Sequence, residues 1–302
     1  MRNPYQKIVR GDVIQEGHID THKKFDQLLE GIDLRGKTFL DVGCNLGEMC
    51  YLAKERGASY ITGIDIDYIG EAREMNPDIC FLNVPGEKAR GNYDVVLASA
   101  MFHYVVDHDK FLNQLARVAN EVVSIDVWIT EGSDLAFRLS TRDLFIPTKP
   151  AFEFLARKYF DEIKEAGRAI SPDGSHRVIF HLSKPNPKPA EAVLIFGKSK
   201  TGKTTKARNM FDHDHLQLDQ IFIEWRIFVE QSLEMSVSDF VDKNQDNEDY
   251  FEYHRKYIDK WLSSRINIDV VIEGYDMIYE KYRDMVKQIL KEQKWKSKEI
   301  HL

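Results

Sequence analysis

Short β-rich apolar runs alternate with amphipathic helical stretches over residues 37–182. The runs are TFLDV (38–42), YITGID (60–65), ICFLNV (79–84), DVVLAS (94–99), EVVSIDVWI (121–129) and RVIFHL (177–182). Strands separated by helices in this way favour a parallel, doubly wound sheet with helices on both faces. The alternation therefore predicts an α/β fold. Residues 1–36 precede the first run and favour a helix from about His18 to Leu29. We expect them either to fold over a substrate pocket or to form a structural cap.

A proline-rich segment divides the chain. Pro185, Pro187 and Pro189 occupy alternate positions, and proline neither continues a helix nor fits a central strand. We therefore expect a first domain over residues 1–184, a linker over 185–190 and a second domain over 191–302. The second domain has its own strand–loop–helix start, and its later strands predict another doubly wound parallel sheet. Its candidate strands are AVLIF (192–196), HLQLDQIF (215–222) and DVVIEG (269–274).

Composition restricts the partners and the compartment. The 302 residues carry a net charge of −7, and each side of the proline-rich segment is acidic. A protein that neutralises many phosphates needs a basic excess, so a long nucleic acid is not an expected partner. No run of eighteen apolar residues occurs, and the first residues lack the apolar core of a signal peptide. We expect a cytoplasmic protein without a membrane span, and the oligomeric state stays open.

The turn after the first strand combines two glycines with two acidic residues. Gly43 and Gly47 stand four positions apart in DVGCNLG (41–47), and glycines let a backbone approach a ligand closely. The stretch lacks the glycine patterns of dinucleotide-binding turns and of phosphate loops. Asp41 suits a cationic ligand better than a pyrophosphate. Asp65, which ends the next strand, is placed to accept both hydroxyl protons of a ribose.

These residues resemble those of a class I methyltransferase that depends on S-adenosylmethionine (SAM). DVGCNLG is similar to the first motif of that family, and YDVVLASAMFHYV (93–105) is similar to the fourth. Asn45 departs from the glycine of many members, but asparagine tolerates unusual backbone angles. The resemblance implies that SAM is the cofactor, with its methionine near the turn, its ribose at Asp65 and its adenine after the third strand. The implied SAM-binding residues are Asp41, Gly43, Asn45, Gly47, Asp65, Asn83, Val84, Ala98 and Ser99.

A histidine and an arginine are candidates for the chemistry at the acceptor. Methyl transfer to a hydroxyl is an in-line displacement that requires alignment and removal of the hydroxyl proton. His103 follows the fourth strand and is the candidate base, because imidazole titrates near neutral pH; a role in shaping the pocket stays open. Two roles also stay open for Arg177: holding an anionic acceptor and pairing with a carboxylate at the sheet edge.

The second glycine turn has a different chemistry. Residues 197–204 match the pattern G-x-x-x-x-G-K-[ST], with a strand before them and a helix-forming stretch after them. Backbone N–H groups of such a loop surround a β-phosphate. Lys203 is predicted to reach the β- and γ-oxygens, and the Thr204 hydroxyl to bind Mg²⁺. The predicted ATP-binding residues are Gly197, Lys198, Ser199, Lys200, Thr201, Gly202, Lys203, Thr204 and Thr205.

This domain resembles the small-molecule P-loop kinases of the uridine and nucleoside kinase group. The resemblance implies that Asp219, after the second strand, is the catalytic base for an acceptor hydroxyl. It also implies that Glu273, after the third strand, holds Mg²⁺ together with Thr204. The chain departs from the family in that no arginine follows Arg283. The arginine-bearing lid that neutralises the transferring phosphoryl group is therefore absent or replaced.

Together the two motifs predict a bifunctional enzyme. We expect SAM-dependent methylation, as O-methylation, and ATP-dependent phosphorylation of a hydroxyl on a small molecule, a sugar or a glycan end. The fusion raises the concentration of one domain's product near the other domain. Two alternatives stay open. In one, the P-loop domain is a nucleotide-binding regulatory module of the methyltransferase; in the other, the methyltransferase modifies RNA or tRNA.

Overall fold

The chain forms two compact units, which divide at residues 188 and 189. A computed structural model describes residues 5–10, 12–140, 144–172, 174, 176–188, 191–196, 203–208, 214–218, 244–263, 269–274, 277 and 279–301. The units are Met1–Lys188 and Pro189–Leu302. The division falls inside the predicted linker, residues 185–190. The N–H of Lys188 donates to the Asn113 side chain at 2.9 Å, so the chain up to Lys188 belongs to the first unit.

The first unit follows the predicted alternation. Its described helices and strands are β1 (Ile8–Arg10), β2 (Asp12–Gln15), α1 (Thr21–Leu28), β3 (Thr38–Val42), α2 (Glu48–Glu55), β4 (Tyr60–Asp65), α3 (Ile69–Met75), β5 (Cys80–Asn83), β6 (Tyr93–Ser99), α4 (His108–Val118), β7 (Ala119–Trp128), β8 (Phe137–Leu139), β9 (Phe145–Pro147), α5 (Lys149–Ala156), β10 (Phe160–Arg168) and β11 (Arg177–Pro185). Two 3₁₀ turns, Gly86–Lys88 and Phe102–Tyr104, interrupt the connections.

The central sheet has a topology that positions a ligand. Its strand order is β10-β11-β7-β6-β3-β4-β5, and β3 to β7 are parallel. The chain runs outward from β3 to β5, then returns to β6 on the other side of β3. The order therefore reverses between β3 and β6, and in open α/β sheets the ligand crevice lies at such a point, beyond the carboxyl ends of the strands.

Alternation along each strand separates two cores. On β3, Phe39 packs with the cluster that includes α1 and α2, whereas its neighbour Leu40 packs with the cluster that includes α4. Val95 and Val96 of β6 divide between the same two clusters. Successive side chains of a strand point to opposite faces, so both faces of the sheet are buried under helices. The predicted α/β fold with a mostly parallel sheet is confirmed for this unit.

One edge of the sheet differs from the prediction of a wholly parallel arrangement. Strand β11, which contains the run RVIFHL, is antiparallel to both of its neighbours, β7 and β10. Only the short segment 169–176 joins β10 to β11, and a connection of that length can join antiparallel strands but cannot make a parallel crossover. The sheet is therefore mixed at this edge.

The second unit contains a smaller sheet. Its described elements are β12 (Glu191–Phe196), α6 (Lys203–Arg208), β13 (Asp214–Gln217), α7 (Glu248–Ser263), β14 (Val270–Glu273), α8 (Glu280–Glu292) and β15 (Lys296–His301). The strands lie in the order β13-β14-β12-β15 and are all parallel. Leu194 packs with α7 and α8, and the adjacent Val193 packs with Ala207 of α6, so described helices cover both faces.

Across the part of the chain that the structure describes, every helix is too short or too polar to cross a membrane.

Candidate functional site

A cleft of about 480 Å³ opens at the carboxyl ends of β3, β4 and β6. It lies at the point where the strand order reverses. Four of the predicted SAM-binding residues line it: Gly43, Asn45, Asp65 and Ser99. They come from the turn after β3 and from the last residues of β4 and β6, because parallel strands bring their carboxyl ends to one edge of the sheet.

The turn after β3 depends on left-handed backbone conformations. Gly43, Asn45 and Gly47 have φ angles of 80°, 51° and 79°. A Cβ atom on Gly43 would lie 2.2 Å from the sulfur of Met101, and one on Gly47 would lie 2.6 Å from the ring of Phe81. These two positions therefore require glycine for both backbone angle and space. Asn45 adopts the left-handed region as the non-glycine residue that tolerates it best.

Asp65 holds this turn in place. Its carboxylate accepts the N–H of Asn45 at 2.8 Å, that of Ile66 at 2.7 Å and that of Asp67 at 3.0 Å. A carboxylate has about four acceptor positions, so at least one remains for a ligand hydroxyl. The Asn45 side-chain oxygen is buried at the cleft and has no hydrogen-bond partner among the described residues. An amine donor of a ligand, such as the ammonium of SAM, fits this oxygen.

Asp41 lies beneath the turn and is not among the described residues that line the cleft. It is only 1% exposed, and the Cys50 thiol lies 3.7 Å from its carboxylate. Burial, together with the negative charge of Asp65, raises the pKa of Asp41 to about 7, although Cys50 and Lys24 act in the opposite direction. Its carboxyl group therefore supports the turn from below.

The remaining predicted SAM-binding residues divide between core and surface. Ala98 is buried in the core on the α4 side. Asn83, at the end of β5, donates its side-chain amide to the Ile66 carbonyl at 3.2 Å, and the N–H of Val84 donates to the Asp65 carbonyl at 3.0 Å. Asn83 and Val84 thus stand beside the end of β4, next to the cleft.

His103 lies in the 3₁₀ turn after β6. Its ring is buried. The centroid of this ring lies 4.2 Å from the Tyr104 ring centroid and 5.8 Å from the Trp128 ring centroid. Tyr104 lines the cleft and is 63% exposed, whereas His103 is not among the described lining residues. The structure therefore places the candidate base one residue away from the cleft wall.

A buried ionic cluster lies beside the cleft, and sequence reasoning anticipated only one part of it, the open pairing of Arg177 with a carboxylate. Asp126 of β7 lies 3.2 Å from the Lys24 ammonium and 3.6 Å from Arg177, and it accepts the N–H of Ala100 at 2.8 Å. Burial alone would raise the pKa of Asp126, but Lys24 and Arg177 outweigh it, and the pKa is lowered. The sequence signal for this cluster was Asp126 within the apolar run EVVSIDVWI, because a buried carboxylate needs cationic or hydrogen-bonding partners.

The N-terminal segment, for which the sequence left open a role over a substrate pocket or as a structural cap, contributes Tyr5 and Gln6 to the cleft. The buried carboxylate of Glu48, at the start of α2, anchors this segment to the core. It accepts the N–H of Val9 at 3.2 Å and contacts Arg10 and His22.

In the second unit, the structure brings three predicted nucleotide-site residues to one sheet edge. Thr204 donates its hydroxyl to the Glu273 carboxylate at 2.9 Å, and Lys203, the first residue of α6, is buried. Glu273 ends β14 and pairs in register with Ile195 of β12. Thr205 belongs to α6. The predicted residues outside the described part of the chain are Gly197, Lys198, Ser199, Lys200, Thr201, Gly202 and Asp219.

Comparison with known proteins bears on the first unit. Residues 18–129 match a family model described as a methyltransferase domain. By this match, the first unit contains a methyltransferase domain. The matched residues include β3 to β7, and the cleft of the methyltransferase domain lies at the carboxyl ends of these strands.

The curated relatives match limited stretches of this chain. The ribosomal protein L11 methyltransferase of Sodalis glossinidius is 51% identical over 41 residues, which are 14% of each chain. That of Aliivibrio fischeri strain MJ11 is 29% identical over 116 residues, which are 36% of this chain and 40% of the relative. The chain therefore spans less than half the length of these relatives.

Solved structures also resemble this chain. A putative SAM-dependent methyltransferase from Listeria monocytogenes is 20% identical, with a TM-score of 0.43 over 55% of this chain and 100% of its own. The magnesium protoporphyrin IX methyltransferase of Synechocystis with bound SAM is 17% identical, with a TM-score of 0.43 over 54% of this chain and 77% of its own.

Proposed function

We propose that the first unit transfers the methyl group of SAM to a hydroxyl of a small acceptor, a sugar or a glycan end. The observation that carries the proposal is the cleft itself, where the Gly43–Asn45 turn, Asp65 and Ser99 meet at the reversal of strand order. The cleft volume of about 480 Å³ lies within the usual range of small-molecule and cofactor pockets.

Each wall of the cleft has a separate task in this reaction. When bound, SAM would supply a sulfonium methyl group, and the acceptor oxygen would bond to this carbon in line with the breaking C–S bond and release S-adenosylhomocysteine. Asp65 accepts a ribose hydroxyl at its remaining acceptor position, and the unpaired Asn45 oxygen accepts the ammonium of the methionine moiety. Asn83 and Val84 stand beside the adenine. Ser99 and the turn that carries His103 align the acceptor, and His103 is the proposed base for its hydroxyl proton.

The test is calorimetry with S-adenosylhomocysteine (SAH), the demethylated product. Asp65→Asn removes the charge and one acceptor oxygen, so we expect SAH affinity to fall by about tenfold or more. Asp78→Asn is the matched control, because Asp78 is an exposed aspartate whose partner is Lys54. Equal SAH affinities for wild type and Asp65→Asn would contradict the proposed ribose contact, and absence of SAH binding to the wild type would refute methyl transfer.

We further propose that the second unit binds Mg-ATP and phosphorylates a hydroxyl of a small acceptor. The hydrogen bond from Thr204 to Glu273 supports a magnesium site there, because hydroxyl and carboxylate oxygens are the ligands that Mg²⁺ prefers. Lys203 lies beside them at the end of a parallel sheet, where it would neutralise phosphate oxygens. In this proposal, residues 197–205 surround the phosphates and Asp219 takes the proton of the acceptor hydroxyl.

Lys203→Ala tests the nucleotide site. Without the ammonium, we expect ATP affinity to fall by about tenfold or more, since hydrogen bonds to charged groups are among the strongest. Lys206→Ala is the control, since Lys206 is an exposed lysine on the same helix. Transfer of labelled phosphate to a sugar would support a kinase. ATP binding that alters methylation without ATP consumption would support the regulatory alternative instead.

A further inference from the structure

The cleft of the methyltransferase domain carries opposite charges at its two ends. Asp65 and Asp67 line it at β4, and Arg177 lines it at the first residue of β11. Strands β3, β6 and β7 lie between these two strands in the sheet. Arg177 pairs in register with Trp128, the last residue of β7. Along the strand order, three strands therefore separate the guanidinium from Asp65, the proposed ribose contact.

Arg177 is held in position but not saturated with hydrogen bonds. It is 5% exposed, and its Nε donates to the Ser171 hydroxyl at 3.3 Å. One terminal nitrogen lies 3.6 Å from Asp126, which is too long for a hydrogen bond. That nitrogen is buried and has no hydrogen-bond acceptor among the described residues.

Asp126 does not supply the missing acceptor, because its carboxylate lies too far from this nitrogen for a hydrogen bond. Its carboxylate accepts the Lys24 ammonium and the Ala100 N–H. Lys24 is fully buried. Two buried cations therefore share one carboxylate, and the local balance favours a further negative charge at the cleft.

An anionic group of a ligand would complete this arrangement. A buried donor without a partner costs about 1–3 kcal/mol, and a guanidinium recognises carboxylate and phosphate oxygens through two parallel hydrogen bonds. The position of His103, the proposed base, indicates whether the anionic group belongs to the cofactor or to the methyl acceptor. His103 packs against Trp128, and Arg177 lies over the same indole ring, with its guanidinium carbon 5.9 Å from the centroid. Arg177 is thus on the acceptor side.

We propose that the methyl acceptor of this domain carries a carboxylate or a phosphate ester, which binds the Arg177 guanidinium. The inference rests on the proposed methyl transfer in this cleft, and it narrows the acceptor from any small hydroxyl compound to an anionic one.

The test compares three probes with one carbon skeleton: glucose, glucuronate and glucose 6-phosphate. Calorimetry on the full chain loaded with SAH gives their affinities. We expect at least one anionic probe to bind about tenfold or more tightly than glucose. We expect Arg177→Gln to abolish the preference for the anionic probe. Arg177→Lys keeps the positive charge but cannot donate two parallel hydrogen bonds, so we expect it to retain part of the preference. The better anionic probe identifies the group as a carboxylate or a phosphate.

Arg168→Gln is the matched control, because Arg168 is an exposed arginine at the end of the neighbouring strand β10. Its probe affinities are expected to equal those of the wild type. SAH affinity reports separately on the proposed function and on the folding of each variant. If Arg177→Gln does not bind SAH, the wild-type preference and Arg177→Lys decide the question.

Two results overturn the proposal. One is equal affinity of the SAH-loaded wild type for all three probes. The other is a loss of SAH affinity in Arg177→Gln with unchanged affinity for 5′-methylthioadenosine, which lacks the carboxylate. That pattern would assign the guanidinium to the amino-acid end of the cofactor. Absence of SAH binding to the wild type would refute methyl transfer itself and is recognisable as a different failure.

Discussion

Gly47 and Gly31 have the same left-handed backbone conformation in different surroundings. Their φ angles are 79° and 78°. A Cβ on Gly47 would lie 2.6 Å from the Phe81 ring, whereas one on Gly31 would meet nothing within 4 Å. The pair therefore separates the cost of backbone conformation from the cost of steric overlap.

We predict that Gly31→Ala lowers the free energy of unfolding of the first unit by about 1 kcal/mol, the cost of a left-handed alanine. Gly47→Ala adds the overlap with Phe81, for a total of about 2–4 kcal/mol, and it weakens SAH binding because the turn shifts. Urea unfolding and SAH calorimetry of both variants measure these effects. Equal destabilisation by the two substitutions would show that Phe81 moves aside freely.

Asp41 makes the stability of the first unit depend on pH. Its folded pKa is about 7, above the ordinary value of 3.8, so the folded state binds more protons than the unfolded state between these values. The free energy of unfolding therefore falls as pH rises from about 4 to 7. At about 1.4 kcal/mol per pKa unit, the loss is at most roughly 4 kcal/mol.

Asp41→Asn is accordingly predicted to stabilise the first unit relative to wild type at pH 8, and this advantage shrinks towards pH 4.5. Hydrogen exchange of the β3 amides at the two pH values measures the free energy of unfolding of the first unit, because Asp41 belongs to β3. Asp78→Asn, at the surface, is the control. An advantage of Asp41→Asn that is the same at both pH values would contradict the raised pKa.

Residues of the candidate site differ in how far sequence could place them. Gly43, Asn45 and Asp65 were recognisable because local backbone demands and strand ends specify them, and the structure brings them to one cleft. Ala98 was equally visible in sequence but faces the core. The direction of a side chain at a strand end depends on sheet twist and packing, which a motif does not specify.

At the scale of elements, a buried carboxylate fastens the N-terminal hairpin to the methyltransferase core. Glu48 begins α2 and contacts Val9, Arg10 and His22. Its backbone N–H donates to the side-chain oxygen of Gln6 at 3.2 Å. The same segment lines the cleft through Tyr5 and Gln6. The contacts of Glu48 therefore connect the hairpin to the ligand site.

Glu48→Gln keeps the shape of this side chain but removes its charge. We predict faster hydrogen exchange in β1 and β2 and an SAH affinity lower by about tenfold, because breaking a buried ion pair leaves Arg10 without its counter-ion. Glu55→Gln, an exposed glutamate at the end of the same helix, is the control. Unchanged exchange in the hairpin would show that backbone pairing alone holds it.

Strand β10 shows why some elements escape sequence analysis. Its sequence FDEIKEAGR is mostly polar, and most of its side chains are exposed. It forms a strand at the sheet edge because it pairs with β11, and edge strands need little apolar surface. Periodicity detects burial, so it finds β3 and β6 but not a strand stabilised mainly by backbone pairing.

At the scale of the whole molecule, each unit has its own sheet and its own hydrophobic core. If the two candidate sites act independently, a substitution in one leaves the ligand affinity of the other unchanged. We predict that Asp65→Asn alters ATP affinity by less than about twofold and that Lys203→Ala alters SAH affinity by less than about twofold. Calorimetry on the full chain measures both.

A reciprocal change of about fivefold or more would instead indicate a coupling free energy between the sites. That outcome would favour the nucleotide-binding regulatory module over two separate transferases. ATP consumption in the presence of sugar acceptors distinguishes the two readings further.

Sequence by itself determined the features that depend on neighbouring residues: the alternation of strands and helices in the first unit, the left-handed glycine turn and the acid at the end of the next strand. Only the tertiary structure decided the antiparallel edge, the N-terminal wall of the cleft and the cluster of Lys24, Asp126 and Arg177. Lys24 and Asp126 are 102 positions apart. The partners of a buried charge are set by which elements pack together, because a carboxylate removed from water is stabilised by cations that folding brings to it.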